Sequence, residues 1–131
     1  LAYSAEGLPQ ACMGIAAADF DANGRLDLFV TNYANEPNAL YRQLPEGLFD
    51  DRSAAAGLVP ISRPMLGFGT QAIDVELDGD YDLVVVNGDL DDFTHEGRPF
   101  RMRPQCLIND GAARFQEWRD AASDDYFAPT A

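Results

Sequence analysis

Two short stretches, Leu28-Phe29-Val30 and Leu83-Val84-Val85-Val86, are apolar at every position instead of alternating, the pattern of strands with both faces covered. Each follows a polar, acidic segment, and each is followed further along by another short apolar run, Ala39-Leu40-Tyr41 or Cys106-Leu107-Ile108. A search for self-similarity explains the recurrence. Met13-Gly14-Ile15-Ala16-Ala17-Ala18-Asp19 returns as Phe68-Gly69-Thr70-Gln71-Ala72-Ile73-Asp74, a shift of 55 positions, and the same shift aligns Leu28-Phe29-Val30-Thr31-Asn32 with Leu83-Val84-Val85-Val86-Asn87. A second half follows in each copy: Asn38-Ala39-Leu40-Tyr41-Arg42 and Gly47-Leu48-Phe49, then Gln105-Cys106-Leu107-Ile108-Asn109 and Ala113-Arg114-Phe115. Aligning Leu40 with Leu107 gives a shift of 67, so the second copy is expected to carry 12 extra residues among positions 88–104, read as an exposed loop.

Four short strands per copy are therefore predicted, at 14–18, 26–32, 39–43 and 48–52 in the first and at 68–73, 81–87, 105–109 and 114–118 in the second. The fold class is all-β, two four-stranded blades of β-propeller type, with the first repeat over 1–60 and the second over 61–131. Ser53-Ala54-Ala55-Ala56-Gly57-Leu58 combines helix formers with a terminal glycine and predicts one helical turn between the units. Two blades leave two apolar outer faces, to be covered by further blades of a parent chain, another copy of this chain or another subunit. The ends, Leu1 without a methionine and Thr130-Ala131 without a terminal element, are read as those of an excised or processed piece.

Between the first two strands of each copy lies a loop with oxygen side chains at positions 1, 3, 5 and 9 and glycine at 6. Alternate residues of such a loop point inward, the glycine permits a sharp turn, and the carbonyl of position 7 completes a shell around a hard cation. The first loop offers Asp19, Asp21, Asn23 and Asp27, with Gly24 at the turn and the carbonyl of Arg25. The second offers Asp74, Glu76, Asp78 and Asp82, with Gly79 at the turn and the carbonyl of Asp80. All-oxygen ligation without histidine or thiolate points to Ca2+, one ion per loop. Neither loop is an EF-hand, since position 12 is Val30 or Val85 rather than glutamate, so the ion is expected to pin a hairpin in a structural role.

Composition narrows the partners. A net charge of −13 turns the attraction to nucleic-acid phosphate or an anionic membrane into repulsion, and no apolar run approaches the roughly 20 residues of a membrane span. Cys12 and Cys106 stand far apart, either joined in an oxidising compartment or left as buried thiols.

Gly14-Ile15-Ala16-Ala17-Ala18-Asp19-Phe20-Asp21, Leu26-Asp27-Leu28-Phe29-Val30-Thr31-Asn32 and Glu36-Pro37-Asn38-Ala39-Leu40-Tyr41-Arg42 resemble the FG-GAP or VCBS repeats of integrin-α-like propellers. Arg63-Pro64, Leu66-Gly67-Phe68-Gly69-Thr70 and the turn at Asn109-Asp110-Gly111 are more similar to the ASPIC/UnbV-associated group, which includes the cartilage acidic proteins. The resemblance implies a seven-bladed propeller with calcium in the loop between the first two strands of a blade, in secreted or cell-surface proteins that bind protein or carbohydrate. It also leaves an enzymatic alternative, since related propellers occur in polysaccharide-degrading proteins. The residues argue for a non-catalytic module. His95 is the single histidine, Asp89, Asp91 and Asp92 form an acidic run, and Trp118 and Tyr126 read as packing residues before sugar platforms.

Overall fold

The computed structural model describes residues 3–4, 6–92, 94–97 and 100–119. Among them are eight strands, β1 (Cys12–Ala18), β2 (Asp27–Asn32), β3 (Ala39–Gln43), β4 (Phe49–Asp51), β5 (Gly67–Ile73), β6 (Asp82–Asn87), β7 (Gln105–Asn109) and β8 (Phe115–Glu117), with one short helix, α1 (Leu58–Ser62), between the halves. They form two antiparallel four-stranded sheets, β1-β2-β3-β4 and β5-β6-β7-β8, each a meander of nearest neighbours. This is the all-β, blade-type architecture expected from the repeat. No helix among the described residues is long and apolar enough to cross a membrane.

The second-half alignment needs correction by one residue. Leu28 pairs with Tyr41, and its counterpart Leu83 pairs with Leu107. The shift is thus 66 for β3 and β4 against 55 for β1 and β2, and the extra segment has 11 residues, not 12. Matching Leu40 to Leu107 by residue type was misleading because a one-residue slip exchanges the two faces of a strand. Both leucines are nonetheless buried in one cluster, for a reason that lies in how the sheets meet.

That cluster joins Ala16, Phe29 and Leu40 of the first sheet to Leu83, Val85 and Leu107 of the second, with Phe20, Phe115, Ala56 and Leu58 at its margin. Leu83 and Val85 correspond to Leu28 and Val30, which lie on the face of the first sheet opposite Phe29. The sheets therefore stack with unlike faces in contact, head to tail. At about 1.5–3 kcal/mol for each buried Leu, Val or Phe side chain, this cluster is the main source of cohesion between the halves. Polar contacts fix its register: Thr31 Oγ1 donates to the Phe68 carbonyl (2.7 Å), Phe115 N–H to the Ala56 carbonyl (2.9 Å) and Gln105 Nε2 to the Ile61 carbonyl (2.9 Å). Gly14 makes the approach possible, since a Cβ there would lie 2.2 Å from the Phe68 carbonyl oxygen.

The helical turn falls later than predicted. Residues 53–57 form hydrogen-bonded turns that end at Gly57 in the left-handed region (φ 77°), and the helix begins at Leu58. Pro60 sits in its first turn, where a missing N–H leaves nothing unpaired. Ser62 Oγ donates to the Leu58 carbonyl (2.6 Å) and accepts from Asn38 N–H (2.8 Å), tying the helix to the first sheet.

The inserted segment is only partly an exposed loop. Its base extends the β6–β7 hairpin through a bridge between Gly88 and Arg101, and Asp89, expected on the surface, is buried (8% exposed) with its carboxylate accepting from Leu90 N–H. The tip, around a single 3-10 turn at Thr94–Glu96, is exposed. No disulfide joins the cysteines: Cys12 is exposed, so only Cys106 matches the buried-thiol reading. Tyr126 lies outside the described residues.

Candidate metal centre

Both acidic loops sit where the sequence places them, between β1 and β2 and between β5 and β6. Their backbones are built alike. Asp19 accepts from the N–H groups of Asn23 (3.0 Å) and Gly24 (2.7 Å), and Asp74 from those of Asp78 (3.1 Å) and Gly79 (2.9 Å). Asn23 Oδ1 accepts from Arg25 N–H (2.8 Å) as Asp78 Oδ1 does from Asp80 N–H (3.0 Å). Gly24 (φ 86°) and Gly79 (φ 94°) take the left-handed turn, as anticipated. So do Ala22 (φ 56°) and Leu77 (φ 59°) at position 4, where no residue preference announced it.

Position 9 is the buried anchor of each loop. Asp27 is 1% exposed, with Oδ2 accepting from Phe20 N–H (3.0 Å) and Oδ1 from Gln43 N–H (3.0 Å). Asp82 is 0% exposed and repeats the arrangement with Val75 N–H (2.8 Å) and Asn109 N–H (2.9 Å). Each carboxylate thus joins its own loop to the β2–β3 or β6–β7 ladder. The second partners, Gln43 and Asn109, were missed because they are remote in sequence, although the corrected 66-residue shift pairs them.

In the first loop the side chains converge. Asp19, Asp21 and Asp27 bring one carboxylate oxygen each to within 4.8 Å of one another. Asp21 also accepts from Asn23 N–H (3.3 Å) and Nδ2 (3.0 Å), which holds Asn23 beside the group. A carboxylate oxygen has two lone-pair directions, so those accepting one N–H bond retain capacity for a cation. Burial pushes the Asp27 carboxyl up, the N–H groups of Gln43 and Phe20 oppose that, and Asp21 and Asp19 raise it further. Such a concentration of negative charge around a desolvated carboxylate favours a divalent cation of oxygen preference. Arg25, whose carbonyl was assigned to the shell, extends its Nε to the Gln43 carbonyl (3.1 Å).

The second loop does not close in the same way. Asp74, Asp78 and Asp82 hold positions equivalent to Asp19, Asn23 and Asp27, but no three carboxylates of this loop converge as the first loop's do. Glu76, one methylene longer than Asp21, is exposed and borders a cavity of about 620 Å³ with Asp78, Asn109, Asp110 and Arg114. Desolvation within the crowded loop, then Asp78, Asp82 and Asp74, push its carboxyl up; Asp80 is raised likewise, with Asp110 contributing. Asp110, outside the sequence-based set, therefore adds to this loop's field. Its neighbour Gly111 (φ 90°) approaches so closely that a Cβ there would lie 2.8 Å from Asp80 Oδ2.

The other candidates show local roles. His95 is exposed, with Nε2 3.7 Å from Glu96. Asp92 accepts from Thr94 N–H (3.0 Å) and hydroxyl, which hold its carboxyl below the ordinary range.

A family model described as FG-GAP-like repeat matches residues 19–85, just over half of the chain, running from the first acidic loop to the middle of β6. A search of curated proteins finds no match.

Proposed function

The chain belongs to the FG-GAP-like repeat family, and from that premise we propose a calcium-binding interaction module whose two acidic loops each hold one Ca2+ in a structural role. The convergence of Asp19, Asp21 and Asp27 on one point of the β1–β2 loop carries this reading. Asn23 and the Arg25 carbonyl would complete the first shell. Asp74, Glu76, Asp78, Asp82 and the Asp80 carbonyl would form the second once their carboxylates converge. The cation would supply the positive charge that lets these carboxylates stay ionised side by side: at 4 Å two of them repel by about 4 kcal/mol near a protein surface. Flexible loop ligands suit calcium better than the strict octahedron of magnesium.

The reading includes a place outside the cell, secreted or on its surface, where calcium is abundant enough for sites with Kd of about 10⁻⁴–10⁻³ M. It also includes kinship with the ASPIC/UnbV-associated group and a larger, seven-bladed ring. A comparison of two glycines supports the ring. Gly14 is needed because the second sheet's backbone approaches it, whereas its counterpart Gly69 faces open space, beside the exposed Val86 and Ile73. A repeat that retains this glycine where nothing approaches it fits a further blade seated there, from the parent chain, another copy or another subunit. The module is read as non-catalytic, serving protein or carbohydrate interaction, since Asp89, Asp92 and His95 serve or border local turns.

Calorimetric titration with Ca2+ tests the proposal. Two ions per chain are expected, reduced to one in Asp21→Asn, with much weaker uptake of Mg2+; no heat of binding at millimolar calcium overturns it.

A further inference from the structure

Asn109 hydrogen-bonds to both acidic loops. It ends β7 and is 2% exposed, and its N–H, Nδ2 and Oδ1 are all engaged. Its N–H donates to Asp82 Oδ1 (2.9 Å), the buried anchor of the second loop. Its Nδ2 donates to the Tyr81 carbonyl (3.0 Å), one residue earlier in that loop, and across the interface to the Phe20 carbonyl (2.8 Å) in the first loop. Its Oδ1 accepts from Gly111 (3.0 Å) and Ala113 (3.1 Å), which fixes the side-chain rotation.

The Phe20 end of this bridge is equally constrained. Phe20 N–H donates to Asp27, and its ring, 1% exposed, meets the Phe115 ring edge-on at 5.7 Å. The Phe20 carbonyl belongs to the peptide that carries Asp21, so the Asn109 amide grips the backbone between two candidate ligands, Asp19 and Asp21. Three buried hydrogen bonds thus run from Asp27 through Phe20 and Asn109 to Asp82, without solvent between them.

We infer that Asn109 couples the two loops, so that a cation taken up by one raises the affinity of the other. This rests on the calcium reading above and names the residue through which its two sites communicate. An ion in the first loop orders the Phe20–Asp21 peptide and steadies the Asn109 amide on it. The Tyr81 carbonyl and the Asp82 carboxylate are then held in place before the second ion arrives, and the second loop has less freedom left to lose. The coupling is reciprocal, as binding linkage requires. Asn109 here is a positioning residue and holds no ion itself.

The test is calcium calorimetry on the whole chain and on two single-site variants, Asp21→Asn and Glu76→Gln. The product of the two stepwise constants of the parent chain is expected to exceed the product of the two single-site constants by about fivefold or more. Asn109→Ala should bring that ratio to one while both loops still fill at saturating calcium. A purely structural role would lower the melting temperature in Asn109→Ala and leave the ratio unchanged, which would overturn the inference. Should Asn109→Ala fail to fold, the parent chain decides: a ratio of one overturns the coupling, a ratio above fivefold sustains it. Independent filling of two sites removes the coupling alone, whereas absence of calcium uptake removes the calcium reading and the coupling with it.

Discussion

The two blades carry the same strands, the same turn glycines and the same buried aspartate at position 9 of the acidic loop, yet only the first loop gathers its carboxylates. Within the equivalent trio, Asp19-Asp21-Asp27 against Asp74-Glu76-Asp82, one side chain differs in type. Asp21 reaches its own loop's backbone and stays with Asp19 and Asp27, while Glu76 has an extra methylene and is exposed. What the repeat keeps constant is the backbone scaffold; what varies is the chemistry mounted on it. The faces differ too: the first blade's Phe29 face is covered by the second blade, while the second blade's equivalent face is covered only in part, with Cys106 buried but Val86 55% and Ile73 48% exposed.

The largest expected effect tests what the blades share. Asp27→Ala and Asp82→Ala each orphan one buried and one part-buried N–H group, and each should destabilise the chain by roughly 2–5 kcal/mol in urea unfolding. A marked inequality between them, measured in chelator, would mean that the anchors are not equivalent. Next come the two glycines. Gly14→Ala places a Cβ against the Phe68 carbonyl and should cost about 1–3 kcal/mol, whereas Gly69→Ala meets nothing within 4 Å and should stay within about 0.5 kcal/mol. Equal effects would show that the open face is not open in solution.

Exchanging the length of position 3 comes third. Glu76→Asp should tighten calcium binding at the second loop and Asp21→Glu should loosen it at the first, each by about tenfold, or about 1.4 kcal/mol. Titration of single-site chains reads both, and no change in either would remove Glu76 as the cause of the difference.

The smallest effect is of pH in the absence of calcium. The Asp27 carboxyl is raised in the folded chain, so its contribution to stability is present below its ordinary value of 3.8 and is lost as pH rises through the raised folded value. The calcium-free melting temperature of the parent chain should therefore gain more on acidification from neutral pH than that of Asp27→Asn, and equal gains would contradict the shift.

Much of this was legible in the chain itself. Period and burial reinforce each other in Leu28-Phe29-Val30 and Leu83-Val84-Val85-Val86, so all eight strands fall within two residues of their predicted bounds. Loop spacing likewise singled out Asp27 and Asp82, which the structure shows as buried anchors of their loops, because glycine at position 6 and an acid at position 9 carry their own geometric reason. What escaped was long-range. The β3 to β7 alignment slipped because Leu40 and Leu107 look alike although they occupy opposite faces of equivalent strands. Asn109 read as a turn residue, since only the stacked sheets bring it to Phe20. The helix at 58–62 was missed because Pro60 and Val59 argue against a helix until their position in its first turn is seen.

Thermal unfolding of the chain in calcium and in chelator, at matched ionic strength, bears most directly on the central claim. With calcium tenfold above Kd, each occupied loop should add about 1.4 kcal/mol, raising the melting temperature by several degrees, and more with further calcium. Magnesium at the same concentration should do much less. Coincident melts in calcium and chelator would contradict a structural metal at either loop.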